Sequence, residues 1–242
     1  IIDNHSHDAS VEIIEEFLHD PKHPMRKSIT RLIKNSKNTG FAGAHNQAIQ
    51  WTASDYVFMM NQDVILDTEY IRVCVSYMDS KPDVAATTGI LHKWNFAEIS
   101  LTHLGKTDTI DSQGLKIFKN HKITELTNAP ITHEPVPIFG VSGALPIYRR
   151  SALEHTKLPL FSRSFTPYPL YEYFDNDFFA YKEDVDLAYR LRLFGYGAYL
   201  IPHARAWHDR TAAPSKNTRR NRKQRSSFVN YHSYKNHLYF LV

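Results

Sequence analysis

The chain has 242 residues, 42% hydrophobic and 22% charged, the balance of a globular protein long enough for one large domain with its own core. Its one cysteine, Cys74, excludes an internal disulfide framework and a thiolate zinc site and points to a reducing compartment, so a cytoplasmic location is expected. Lys and Arg number 29 against 25 Asp and Glu, a net charge of +4, and no apolar run approaches the roughly 18 residues of a membrane span.

The chain opens on Ile1 in an apolar strand, without a visible signal peptide, and ends in an apolar run. Both ends read as cut, so a fragment of a longer protein is expected. After the strand at Ile1, Ile2 and Asp3, residues 11–18 carry Val11, Ile13, Ile14, Phe17 and Leu18 on one helical face, and Pro21 and Pro24 break that helix. Residues 30–34 read as a short strand, 35–43 as a loop with two glycines, and 44–52 as a helix. The continuous apolar run at 56–60 suggests a strand inside a parallel sheet. Next come a helix at 68–78 and a strand at 84–90. The pattern loosens from 91 to 137. Residues 139–150 are apolar with small residues, and a helix starts at Ser151. Residues 159–177 form an aromatic, proline-rich loop. A helix at 183–194 is ended by Gly195, a strand follows at 198–201, and 228–241 shows aromatic residues at helical spacing.

The alternation of strand and helix predicts a single α/β domain built on an open sheet. Ligands of such sheets bind outside the carboxyl ends of the strands, which places Asp3 and Asp63 in one site. The segment Asn61-Gln62-Asp63 could offer a carboxylate to a divalent cation shared with phosphates. Glu183, Asp184 and Asp186 at a helix start could simply favour the helix dipole. Set behind the aromatic run at 178–181, one of them could instead act as a general base. Arg190 is spaced as an i,i+4 partner of Asp186. His208, after a strand, could return to the same sheet edge as Asp184. The segment 38–46 has glycines for close backbone approach but is neither a Walker loop nor a dinucleotide fingerprint. Residues 216–225 (KNTRRNRKQR) carry six basic residues and no acid. They read as a solvated loop or as a contact for diphosphate or a phospholipid surface.

Six segments in order resemble family 2 glycosyltransferases of the GT-A fold, in particular the bacterial rhamnosyltransferase-like branch. They are IIDNHSHDAS (1–10), NTGFAGAHNQAI (38–49), YVFMMNQDV (56–64), IDSQGLKIFKN (110–120), FGVSGALPIYRRSAL (139–153) and FFAYKEDVDLAYRLRLFGYGAYLIPHARAWHD (178–209). The resemblance implies a mixed Rossmann-like sheet flanked by helices, with the family's first strand and helix falling upstream of Ile1. It implies nucleotide-sugar contacts at Asp3, Asn4, Asn38, Gly40, Phe41, Asn46, Asn61, Gln62 and Asp63, with Asn61 where the family's metal motif has its first acid. It implies Asp184, paired with Glu183, as the general base, and Asp63 with His208 as ligands of Mn2+ or Mg2+. Gly143, Ala144, Asp186 and Arg190 would line the donor-sugar and acceptor side. The processive synthases' Gln-x-x-Arg-Trp motif is absent.

The activity so implied is inverting transfer from a nucleoside-diphosphate sugar, dTDP-rhamnose or a UDP-hexose, to a glycan or lipid-linked acceptor. The chain would then be peripheral at the inner face of the membrane, and nucleic acid is not an expected partner. Two alternatives stand beside it: a sugar-phosphate nucleotidyltransferase, and a nucleic-acid-binding module suggested only by the basic run.

Overall fold

A computed structural model describes residues 1–20, 22, 31–99, 104–159, 171–209 and 227–239. Its elements in chain order are β1 (Ile2–Asp3), α1 (Ser10–His19), β2 (Ile33–Lys34), α2 (Gly40–Gln50), β3 (Tyr56–Phe58), β4 (Val64–Leu66), α3 (Tyr70–Ser80), β5 (Val84–Ile99), β6 (Leu104–Ser112), β7 (Leu115–Ile117), β8 (Ile123–Glu125), β9 (Val136–Ile138), β10 (Ile147–Arg149), α4 (Arg150–Thr156), β11 (Leu158–Pro159), β12 (Tyr171–Glu172), α5 (Glu183–Leu193), β13 (Gly197–His208) and α6 (Ser227–Tyr239). The breaks at Pro21 and Pro24, most of the aromatic loop and the basic run at 216–225 lie outside the described residues.

A seven-stranded mixed sheet organises the chain, in the order β3-β10-β5-β13-β4, with β6 added to β5 and β9 to β13. The two long strands β5 and β13 run parallel at its centre. Each changes partner along its length. β5 takes β10 at Ala86 and Thr87, then β6 from Leu91 onward. β13 takes β9 over 198–200 and β4 over 206–208. All the other pairings in this sheet are antiparallel. The apolar run at 56–60 is thus not the interior of a parallel sheet: β3 stands at one end of the order, paired antiparallel to β10. β1 and β2 form a separate parallel pair.

Side chains alternate across the central strands, as a pleated sheet requires. Val57, Tyr148 and Leu200 pack with Ile49 of α2, Leu153 of α4 and Leu187 and Leu191 of α5. Their neighbours Ile147 and Ile201 pack on the other face with Tyr70, Cys74 and Met78 of α3. Tyr70 is fully buried, and its hydroxyl donates to the Leu145 carbonyl at 3.0 Å and accepts from the Gly89 amide at 2.8 Å. The polar end of a large apolar payload is thereby satisfied, so burial of the ring costs no orphaned group. Among the described residues no helix is long and apolar enough to cross a membrane.

Two expectations shift at their boundaries. The loop read at 35–43 ends early, because α2 begins at Gly40 rather than Ala44. The strand at 198–201 and the stretch after it form one strand, Gly197–His208, interrupted by a register shift between Ile201 and Arg205. Pro202 lies inside that shift, and a residue without an N–H cannot continue a ladder. Pairing resumes after it and carries the strand on to His208.

Candidate active site

The partner exchange along β13 delivers His208 to the start of β4. His208 registers with Val64, and the Asp209 amide donates to the Asp63 carbonyl at 2.9 Å. Side chains follow the backbone: His208 Nε2 lies 3.3 Å from Asp63 Oδ1, while Nδ1 faces Asp111 Oδ2 at 3.0 Å. Asp111 comes from β6, two strands away across β5. It is buried, as is the imidazole. A carboxylate only accepts, so in the neutral ring Nδ1–H donates to Asp111 and the Nε2 lone pair is turned toward Asp63. Two acceptors then face one another. The contact lacks hydrogen-bond geometry, and Asp63 Oδ1 is a buried oxygen without a hydrogen-bond partner.

A divalent cation fits that arrangement. A carboxylate oxygen and an imidazole nitrogen converge, and the far side of the ring is held by a second carboxylate, the usual support of a metal-ligating histidine. Among the described residues no group of three or more His, Cys, Asp or Glu has metal-binding geometry. The two protein ligands would therefore be completed by substrate phosphates and water, as magnesium and manganese sites commonly are.

From this centre a continuous set of contacts leads to Asp184. Next to Asp111, the Ser112 hydroxyl donates to Glu125 at the end of β8. The Ser142 hydroxyl donates to the other Glu125 oxygen at 3.1 Å. The following amide, Gly143 N–H, donates to Asp184 Oδ2 at 3.0 Å. Ala144, one residue on, accepts from the Asn61 amide at 3.1 Å, which closes the ring back to the segment bearing Asp63. Gln62 is exposed beside it. A run of hydrogen bonds and chain neighbours thus links Asp63, His208, Asn61, Gly143, Ala144 and Asp184. Asp111 and Glu125 join them, and sequence reading had not singled them out. Asp111 carried a signal, as the acid of the 110–114 segment that precedes a glycine turn. Glu125 carried none, being a lone acid in the irregular stretch.

Burial raises the Asp184 carboxyl above its ordinary range. The Gly143 amide opposes the shift, and the negative charge of Glu125 adds to it. Glu183 is raised further, by burial first and by the charge of Asp184 second. Its Oε2 is buried without a hydrogen-bond partner. A carboxyl raised toward neutrality beside an amide that fixes its orientation is suited to accept a proton.

Gly143 leaves little room for a side chain: a Cβ there would stand 3.1 Å from Phe41 Cζ and 3.7 Å from Asp184 Oδ2. Phe41, on the first turn of α2, thus lies beside the Gly143–Asp184 contact, and its ring is tilted against His45 at 3.9 Å between centroids. Gly40 at φ 74 opens α2, where a Cβ would lie 2.4 Å from the Phe179 carbonyl oxygen. Asn4 ties the strand pair to this helix start. Its Oδ1 accepts from the Thr39 amide at 2.9 Å, and its Nδ2 donates to Asn38 Oδ1 at 2.9 Å and the Gly40 carbonyl at 3.0 Å. Asn4, Asn38, Gly40 and Phe41 consequently form one lobe.

Four expected site residues are occupied otherwise. Asp3 accepts from the His5 and Ser6 amides, and Ser6 is the main reason its carboxyl is held below the usual range. Among the described residues no hydrogen bond or ion pair joins it to Asp63, Asp184 or His208. Asn46 is buried with both ends of its amide engaged: it donates to the Phe174 carbonyl at 2.7 Å and accepts from the Tyr173 and Phe174 amides at 3.0 and 2.9 Å. It straps the 173–176 segment. Asp186 and Arg190 form the anticipated i,i+4 pair at 2.7 Å. Arg190 also donates to the Thr156 and Tyr173 carbonyls at 2.5 and 2.7 Å. Through these bonds Arg190 ties α5 to the end of α4 and to the segment at Tyr173.

Sheet order, flanking helices and a carboxylate–histidine centre at the strand ends define a glycosyltransferase domain of the GT-A fold. Residues 1–156 match the model of "Glycosyl transferase family 2", and the chain belongs to that family. It is 25% identical over 211 residues to a poly-beta-1,6-N-acetyl-D-glucosamine synthase of Staphylococcus epidermidis, covering 86% of this chain and 41% of that protein. The chain thus spans less than half the length of that relative. Among solved structures it resembles GalNAc-T7 with UDP, GalNAc and Mn2+ (TM-score 0.62, 11% identity, 86% of this chain and 36% of the other). It also resembles a mannosyltransferase from Pyrobaculum calidifontis in complex with GDP-Man and Mn2+ (TM-score 0.53, 14% identity, 93% of this chain and 51% of the other). Family membership displaces the nucleotidyltransferase and nucleic-acid readings.

Proposed function

We propose that the chain moves a sugar from a nucleoside-diphosphate donor to an acceptor hydroxyl with inversion at the anomeric carbon. One observation supports the reading: a single run of contacts joins the Asp63–His208 centre to the half-buried Asp184 carboxyl. Asp184 accepts the proton of the acceptor hydroxyl as that oxygen attacks. The Gly143 amide keeps the carboxylate oriented, and Phe41 walls the base from one side. Glu183 shares the buried corner and resists ionisation. Asp63 and His208 would hold Mn2+ or Mg2+, which would supply positive charge to offset that on the diphosphate leaving group. Asn4, Asn38, Gly40 and Phe41 form the lobe on which the nucleotide rests.

The donor is a nucleotide sugar. A UDP-linked sugar is the first candidate, since the related Staphylococcus epidermidis protein is a poly-beta-1,6-N-acetyl-D-glucosamine synthase. The sequence resemblance to the rhamnosyltransferase-like branch adds dTDP-rhamnose. The acceptor is a cell-surface glycan or its lipid-linked precursor. The basic run at 216–225 suits a cytoplasmic protein held at the inner face of a membrane. The test is nucleotide release from UDP-N-acetylglucosamine, dTDP-rhamnose and GDP-mannose, with and without Mn2+. Mn2+-dependent release from one donor is expected. Release from none, or at equal rates with EDTA, contradicts the reading.

A further inference from the structure

The segment entering α5 has an unusual backbone. The Ala180 amide donates to the Phe178 carbonyl at 2.7 Å, closing a three-residue turn on Phe179 at φ 62, ψ −60. This is the γ-turn of the rarer, strained hand. Tyr181 and Lys182 follow at φ 69 and 73. Three non-glycine residues at positive φ, so close together, persist only where the surroundings over-determine them.

The surroundings are supplied by α6. Asn236 is fully buried, and its Nδ2 donates to the Phe178, Ala180 and Tyr181 carbonyls at 2.8, 2.8 and 2.6 Å. Three acceptors around one end of an amide fix its orientation, because only the NH2 group can face them. The clamp extends along the helix. Lys235 Nζ donates to the Asp177 carbonyl at 2.7 Å, His232 stacks on Phe179 at 5.3 Å, and Tyr239 meets the edge of Phe178 at 6.3 Å.

We propose that Asn236 is a positioning residue for Asp184. The inference rests on reading Asp184 as the base. The route is short. Lys182 caps α5, and its carbonyl accepts from the Asp186 amide at 3.0 Å. The conformation of the turn therefore sets the first turn of α5, and with it the distance from Asp184 to the Gly143 amide. Without the Asn236 donors, the Ala180 and Tyr181 carbonyls lose this partner and the Phe178 carbonyl keeps only the Ala180 amide, the turn relaxes, and Asp184 moves off its bond. The contact comes from beyond the 1–156 region that matches the family model.

The test uses the full chain carrying Asn236→Asp, which keeps the shape and removes the donors, or Asn236→Ala, which removes them without adding charge. Hydrogen–deuterium exchange is read first, since it needs no substrate. Peptides within 178–186 exchange about tenfold faster or more, while those within 197–208 keep wild-type rates. Unchanged protection at 178–186, or equal loss in both regions, overturns the proposal. Turnover is read second, on whichever of UDP-N-acetylglucosamine, dTDP-rhamnose or GDP-mannose the wild type uses with Mn2+. A fall in kcat of about 10- to 100-fold with donor KM within about twofold is expected, and unchanged kcat overturns the proposal. A wild-type chain that uses none of these donors contradicts the sugar-transfer reading, and exchange still decides the clamp.

Discussion

Replacing Asp111 by Asn isolates one link in the metal centre. The substitution keeps the size of the side chain but removes the charge that faces His208 Nδ1 at 3.0 Å. An amide oxygen can still accept that hydrogen, so the ring is not released. The bond falls from charge-assisted to neutral, roughly halving its strength, and Nε2 becomes a weaker donor to a cation. Loss of such a supporting carboxylate typically costs about 10- to 100-fold in metal affinity, or about 1.4–2.7 kcal/mol. Mn2+ titrated calorimetrically into the protein saturated with UDP reads this directly, with His208→Ala as the reference for complete loss of the ligand. Asp111→Asn should fall between wild type and His208→Ala. Wild-type affinity in Asp111→Asn, alongside loss in His208→Ala, would show that Asp111 does not orient the ring. Wild-type affinity in both would remove His208 from the metal site.

Two further outcomes follow from the buried carboxyls. Glu125 raises the Asp184 carboxyl through its charge, so Glu125→Gln should shift the acid limb of the kcat/KM–pH profile to lower pH; a limb that stays fixed or rises counts against this coupling. Glu183 binds its proton more tightly folded than unfolded, so its contribution to stability is complete below the ordinary carboxylate range and is lost as pH rises through its raised value. Glu183→Gln should match wild type near pH 4 and gain about 1–3 kcal/mol by pH 8, a rise of roughly 2–10 °C in Tm; equal melting at both pH values would refute the unpaired, burdened carboxyl.

The sheet and helices were legible where periodicity was local. α3 and α5 lie close to their expected spans because a run of apolar residues at helical spacing has one reading. The start of α2 was misread because Gly40 and Gly43 suggest a loop. In the fold, Gly40 is there for close approach to Phe179, not for a chain break. The long arms of β5 and β6 were invisible, since Leu104 and Phe96 remain exposed and the ladder between them shifts register repeatedly. α1 formed as expected, yet it buries none of its residues and leaves Ile13 exposed, an outcome that sequence pattern alone does not decide.

For the site, the residues at strand ends and helix starts were readable, and the hydrogen-bond partners that spend them were not. Asp63 and His208 meet at the strand ends, and Asp184 is joined to them through Gly143, Ser142 and Glu125. Asn46, Asp186 and Arg190 occupy equally suggestive positions, but their polar groups are consumed by carbonyls and amides distant in sequence. Which polar residue is left over for a ligand depends on three-dimensional partners, and a linear pattern does not contain them.

The most direct measurement is the turnover of Asp184→Asn with the donor that the wild type uses, at fixed Mn2+. The substitution keeps a group able to accept the Gly143 hydrogen bond and removes the proton acceptor. A loss of about 10²–10⁴ in kcat, with Mn2+ affinity and donor KM near wild type, is the predicted result. Turnover within a few-fold of wild type would contradict the assignment of Asp184 as the base.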